Sequence, residues 1–115
     1  MTPIDSREPA PLTPLAFDIL LSLLDGAAHG YAIMQTVQER GAAPGSVHAG
    51  TLYRALARLV DAAMIEELEA PPAGADERRR YYRVTPVGRK AAAAEARRIE
   101  RQLGAARAHG LLRPA

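Results

Sequence analysis

Residues 49–66 read AGTLYRALARLVDAAMIE, and residues 78–91 read RRRYYRVTPVGRKA. On a helical wheel of about 100° per residue, Leu52, Leu56, Leu59, Val60 and Ala63 cluster on one side of the first stretch. Thr51, Arg54, Ala57, Arg58 and Asp61 cluster on the other. The pattern predicts a helix over about 50–62 with one apolar face and one short-chained, arginine-bearing face. MIEELEA (64–70) and RRYYRV (79–84) then read as two strands, joined by the turn-rich PPAGADE (71–77). Strand alternation puts Tyr82 and Val84 on one face and Tyr81 and Arg83 on the other, with Tyr82 assigned to the core and Tyr81 to the edge. Thr85-Pro86 supplies a cap and a first-turn proline, opening a long helix that runs to about Ala108.

Working outward, Thr13-Pro14 repeats the cap-plus-proline signal, and LAFDILLSLLDG follows as far as Gly26. Its polar residues Asp18, Ser22 and Asp25 form one narrow stripe. Leu15, Ile19, Leu20 and Leu23 lie on one side of it, and Phe17, Leu21 and Leu24 on another. A surface helix needs one apolar face, so the surplus predicts either a helix covered twice, by its own core and by a partner, or one simply buried in its own small core. Another helix is expected from about Gly30 to Arg40, with Tyr31, Met34 and Val37 inward and Gly41 closing it, and then a loop over 41–46. In the last helix Ala92, Ala96, Ile99, Leu103 and Ala106 recur at the alternating spacing of a coiled-coil seam. The fold class expected is mainly α with a small β-hairpin. It comprises a flexible arm (1–12), a winged helix-turn-helix (13–85), and a C-terminal dimerisation helix and tail (86–115).

A chain of 115 residues allows one domain. Its net charge of +2 hides an asymmetry: residues 1–70 carry four arginines against nine acids, and residues 71–115 carry eleven basic side chains against four acids. With no cysteine and three scattered histidines, no disulfide- or metal-stapled fold is expected. His29 and His48 each precede a helix, where capping or packing accounts for them. No apolar run reaches the roughly 18 residues of a membrane span, and MTPIDSREPAP has no apolar signal core, so a cytoplasmic protein is expected. There is no phosphate-cradling glycine motif and no nucleophile beside a base, so neither an enzyme nor a cofactor is expected.

The arginine-bearing helix face has the chemistry of a recognition helix in double-stranded DNA. Thr51 can bond a phosphate, Arg54 and Arg58 can reach phosphate or the O6/N7 edge of guanine, and Ala55 and Ala57 permit close approach. Tyr53, at the flank of the wheel, either packs or contacts the DNA backbone. Arg78, Arg79 and Arg80 follow the hairpin tip (wing about 71–80), where planar guanidinium forks suit phosphate or the adjacent minor groove. Two features oppose this reading. Asp61 shares the arginine face, and Glu66, Glu67 and Glu69 could pair with the wing arginines. The competing reading is a winged-helix protein-interaction module that uses the same surfaces without DNA.

HGYAIMQTVQERG (29–41), AGTLYRALARLVDAAMIE and RRRYYRVTPVGRKA together resemble the PadR family of bacterial transcriptional regulators, over about residues 12–91. The markers are His29-Gly30-Tyr31, Gly50 to Arg54, and Tyr82 with Thr85 and Gly88. The resemblance implies a homodimer that binds operator DNA and usually represses. It places Thr51, Tyr53 and Arg54 on the recognition helix and Arg78 to Arg80 on the wing. It also implies a dimer interface between the first and last helices, which matches the apolar surplus at Phe17, Leu21, Leu24, Ala96, Ile99, Leu103 and Ala106. The length resembles the subgroup with a single C-terminal helix. Some short members bind flat aromatic effectors between tryptophans at that interface. This chain has no Trp, so a small-molecule effector would have to be held by Ala and Leu side chains.

Overall fold

A computed structural model describes residues 9–41 and 47–112. Its elements are α1 (Pro14–Leu23), β1 (Ala28–His29), α2 (Gly30–Arg40), α3 (Ala49–Asp61), β2 (Ile65–Glu67), β3 (Tyr81–Val84) and α4 (Pro86–Ala108). Thr13 caps α1 by accepting from Ala16 N, and Thr85 caps α4 by accepting from Gly88 N, each followed by the expected proline. α1 stops at Leu23 rather than Gly26. Leu24 and Asp25 between them turn, with Leu24 N bonded to Leu21 O and Gly26 N to Leu23 O. The 41–46 loop lies outside the described residues apart from Gly41, as does the arm apart from Pro9–Leu12.

The core is one cluster in which Ile19, Leu20 and Leu23 of α1 meet Ile33 and Val37 of α2 and Leu52, Leu56 and Leu59 of α3. Ile65, Tyr82 and Ala92 close it on the sheet side. The apolar stripe expected on α1 is therefore the buried one, and that of α3 is buried at its three leucines. Two residues assigned to the α3 stripe leave it. Val60 sits at its rim, and Ala63 has already left the helix. On α2 the inward stripe is Gly30, Ile33 and Val37, which swings Tyr31 a hundred degrees away and leaves it half exposed, contrary to expectation.

The hairpin becomes a three-stranded antiparallel sheet ordered β1-β3-β2. β1 pairs Ala28 with Tyr82 and His29 with Tyr81; β2 pairs Ile65 with Val84, Glu66 with Arg83 and Glu67 with Tyr82. β3 is thus central, which corrects the assignment of Tyr81 to an exposed edge. Tyr82 faces the core as expected, but Tyr81 is also buried at 8% exposure. The wing roofs it: Asp76 N donates to its hydroxyl at 3.2 Å, and the His29 ring meets it edge-on at 5.5 Å.

α3, β2 and α4 are locked at one junction. α3 ends with Ala63 in the left-handed region (φ 59°), and its closing bonds run from Ala63 N to Val60 O and from Met64 N to Leu59 O. Thr85 N donates to Met64 O, and the Thr85 hydroxyl donates to Ala63 O. Gly88 lies so close that a Cβ there would stand 2.0 Å from Met64 O. Two opposite outcomes follow. Gly88→Ala must push α4 off β2 and should cost about 2 kcal/mol or more, as overpacking does. Ala63→Gly removes left-handed strain of roughly 1–2 kcal/mol, less the added freedom of the unfolded chain, and should be neutral to stabilising. Urea midpoints at fixed protein concentration check both; a tolerated Gly88→Ala would contradict the junction.

Candidate nucleic-acid interface

α3 presents Thr51, Tyr53, Arg54, Ala57, Arg58 and Asp61 to solvent while its leucines hold it to α1. Arg54 Nη2 lies 3.4 Å from Thr51 Oγ1 one turn earlier, so these two form a continuous polar surface at the helix start. Arg58 sits farther along, against a groove bordered by Pro11, Leu12 and Ala62. Tyr53 both packs and stays half exposed: its ring lies over Gly30 at the start of α2, where a Cβ would come within 2.9 Å of it. The glycine of His29-Gly30-Tyr31 and the tyrosine of Gly50 to Arg54 are therefore the two halves of one contact between α2 and α3.

Between α2, α3 and the wing lies an open cleft of about 220 Å³ lined by His29, Tyr31, Tyr53, Arg79, Arg80 and Tyr82. No carboxylate lines it. Arg79 spans it, with its guanidinium 5.8 Å from the centre of the Tyr31 ring and 3.3 Å from His29 Nδ1. The wing arginines are partly neutralised, though not by the glutamates of the neighbouring strand. Asp76 accepts from Arg78 N and Arg78 Nε and lies 3.7 Å from Arg79 Nε. Those bonds, Arg78 first and Arg79 after it, hold the Asp76 carboxyl below the usual carboxylate range. Of the three glutamates, Glu66 pairs with Arg83. Arg80 makes no ion pair among the described residues. The structure thus brings Tyr53, Arg79 and Arg80 around one cleft, with Thr51 and Arg54 on the exposed face of the helix that supplies Tyr53; Arg78 points away at the wing tip, its side chain 90% exposed.

Tyr31 is the cleft residue that sequence reasoning missed; its signal was the 30-33-37 apolar spacing of α2, one position off the stripe assigned. His29 acts as the N-cap of α2, its Nδ1 accepting from Ala32 N at 3.1 Å. Among the described residues no group of His, Asp or Glu is arranged to hold a metal, and no helix is long and apolar enough to cross a membrane.

Outside this cleft, Leu21, Leu24 and Ile99 are 43%, 37% and 40% exposed, and Ala96 is open. Phe17, Leu103 and Ala106 are half-buried, and Leu111 and Leu112, just past α4, are exposed. Ala92, the first residue of the seam, belongs to the chain's own core.

The family model described as the transcriptional regulator PadR-like family matches residues 19–94. A PadR family transcription regulator from hypervirulent Clostridium difficile R20291 shares the fold, with a TM-score of 0.73 at 22% identity over 84% of this chain and 98% of that one. A transcriptional regulator from Clostridium thermocellum is similar at 27% identity and a TM-score of 0.61, over 86% of this chain and 90% of that one. RosR of H. salinarum is similar at 29% identity and 0.59, over 81% and 76%. No curated protein sequence matches the chain.

Burial, then Arg79, push the His29 imidazole below its ordinary value, with Asp76 opposing them in part. The ring is therefore neutral at pH 7 and Nδ1 keeps its lone pair for Ala32 N–H. An unfolded chain binds this proton more tightly, so the group's contribution to stability is complete above about pH 6.5 and is lost on acidification below it. NMR titration should give a His29 pKa below 6.5, and His29→Asn, which retains a cap, should lose less stability than wild type between pH 7.5 and 5.5. A His29 pKa at or above the ordinary value would contradict the neutral cap.

Proposed function

The chain belongs to the PadR-like family of transcriptional regulators, and from that membership we propose that it is a homodimeric repressor that reads an operator with α3 in the major groove. The family's regulators are DNA-binding proteins and not enzymes. The observation that carries the reading is the cleft between α3 and the wing: cationic, free of carboxylate lining, and walled by Tyr53 of the helix whose exposed side carries Thr51 and Arg54.

In this reading the division of labour follows from side-chain reach. Arg54, near the start of α3, approaches base edges, with Thr51 on the adjacent phosphate. Arg58, farther along the helix, contacts the backbone. Arg79 and Arg80, with the hydroxyls of Tyr31 and Tyr53, seat a backbone phosphate in the cleft. Arg78 follows the next phosphate by exchanging its exposed Asp76 pair for DNA. Exposed pairs contribute only about 0–1 kcal/mol, so that exchange is cheap. Asp61, at the far end of α3, stays outside the groove.

The second copy is supported by the apolar side chains of α1 and α4 that stay exposed among the described residues, Leu21, Leu24 and Ile99 first. Phe17, Leu21 and Leu24 meet Ala96, Ile99, Leu103 and Ala106 across the dimer, and the two α3 helices then enter half-sites about one DNA turn apart. Cytoplasmic action on double-stranded operator DNA is the setting this requires.

Two measurements test the parts separately. Arg80→Ala should lower binding to every DNA sequence and flatten the slope of log K against log salt by about 0.9, whereas Arg54→Ala should relax preference at one base position at a cost of roughly 1–3 kcal/mol. An unchanged salt slope removes the wing from the interface, and equal losses on operator and random DNA move Arg54 to the phosphate class. Ile99→Glu combined with Leu103→Glu should give a monomer by sedimentation; a persisting dimer would place the interface elsewhere.

A further inference from the structure

The buried part of α4 is its first third: Gly88, Ala91, Ala92 and Ala94 pack on the head, and no residue from Ala96 to Ala108 is buried. Beyond that third, Glu95 and Arg98 tie the helix to the head, and both side chains grip the segment that leads into α1. Leu12 N donates to Glu95 Oε1 at 2.8 Å. Arg98 donates through Nη1 to Pro9 O at 3.0 Å and through Nη2 to Ala10 O at 3.2 Å and Glu95 Oε1 at 2.9 Å. The pair differs in kind from those on the wing. The Arg98 and Glu95 side chains are only 19% and 13% exposed, against 90% and 35% for Arg78 and Asp76. Charge-assisted bonds at that burial hold geometry far better than solvent-exposed ones. The Leu12 N–H, followed by Arg98, keeps the Glu95 carboxyl below the usual carboxylate range, so Glu95 is a carboxylate at neutral pH.

The gripped segment also reaches α3. Leu12 packs on the core cluster, and Leu12, Thr13 and Ala16 form one bank of a groove whose other bank is Ala55, Leu59 and Ala62. Residues 9–12 are therefore a strap between the helix that carries the apolar seam and the helix that carries Arg54.

We propose that Glu95 and Arg98 are positioning residues that set the angle of α4 to the DNA-binding head, and through it the separation of the two α3 helices in the dimer. The inference rests on the dimer reading given above. The lever is long enough to matter. From Glu95 the helix continues to Ala108, about 20 Å at 1.5 Å per residue, so a tilt of about 10° at the strap moves its far end by about 3.5 Å, one base-pair step. Since neither residue lies on the α3–wing surface, the strap selects among half-site spacings without touching a base.

The chain has no cysteine, so Ala57→Cys gives a single spin-labelling site on the exposed side of α3. Pulsed electron resonance on the labelled dimer reads the distance between the two α3 helices with no operator needed. The unaltered strap should give one narrow distribution. Glu95→Gln and Arg98→Ala should shift its mean by about 3 Å or more, or broaden it to that extent, with helicity and sedimentation unchanged. Arg98→Lys, which keeps the charge but cannot fork between Pro9 O and Ala10 O, serves where the alanine variant does not fold. A distribution unmoved in every folded variant overturns the proposal, as does a loss of thermal stability with no change in distance, because that is all a merely structural pair would do. Absence of any distance between labels before the strap is altered would instead overturn the dimer reading, and the strap proposal with it.

Discussion

The position of every functional element depends on one close approach, the backbone of Gly88 against the carbonyl of Met64. The carbonyl oxygens of Ala63 and Met64 accept from the Thr85 hydroxyl and amide, and Gly88 N returns to the Thr85 hydroxyl. α3, β2 and α4 are therefore fixed within a few residues of each other. Moving α4 away from β2 would displace the strand partner of β3, and with it the wing that carries Arg79 and Arg80. The small residues Ala91, Ala92 and Ala94 then let α4 lie close along the head. In a chain with few aromatic side chains, such backbone contact takes the place of bulky packing. The carbonyls of Ala63 and Met64 thus tie the start of α4 to the end of α3.

A second constraint, at Gly30, shapes the cleft. Because Tyr53 lies on a bare Cα, α2 and α3 approach closely and their tyrosines flank a space that the wing closes on its third side. The small net charge is consistent with this arrangement, since the positive side chains are gathered on the wing, at the start of α3 and along α4. Asp76 steadies the wing arginines in the absence of DNA at little cost, because both partners remain open to water and to a competing phosphate.

Much of this was legible in the sequence. Two threonine-proline signals located the starts of α1 and α4, three leucines located the buried face of α3, and charge placement located the wing. The failures have physical causes. β1 is two residues long, too short to show any alternation, and its existence changes β3 from an edge strand to a central one. With β1 comes the His29 ring, which together with the wing covers Tyr81 where alternation implies exposure. Spacing alone assigns Tyr31 to the core, because a tyrosine beside apolar residues fits a helical stripe as well as Ile33 does; only packing decides which register wins. The pairing of the wing arginines with Asp76 rather than with the Glu66–Glu69 run depends on the turn inside the wing, which brings Asp76 Oδ1 to Arg78 N. The strap could not be read at all, because it joins residues more than eighty positions apart. Long-range side-chain bonds to backbone leave no periodicity.

In the proposed function two copies of this chain read DNA together, each through α3 and the wing. Repeated selection of bound sequences from a random double-stranded DNA pool tests that most directly, since it presumes neither operator nor partner. The account predicts enrichment of an inverted repeat whose half-sites are centred about one helical turn apart. Enrichment of a single, unrepeated site, or of no sequence at all under low-salt conditions, would contradict it.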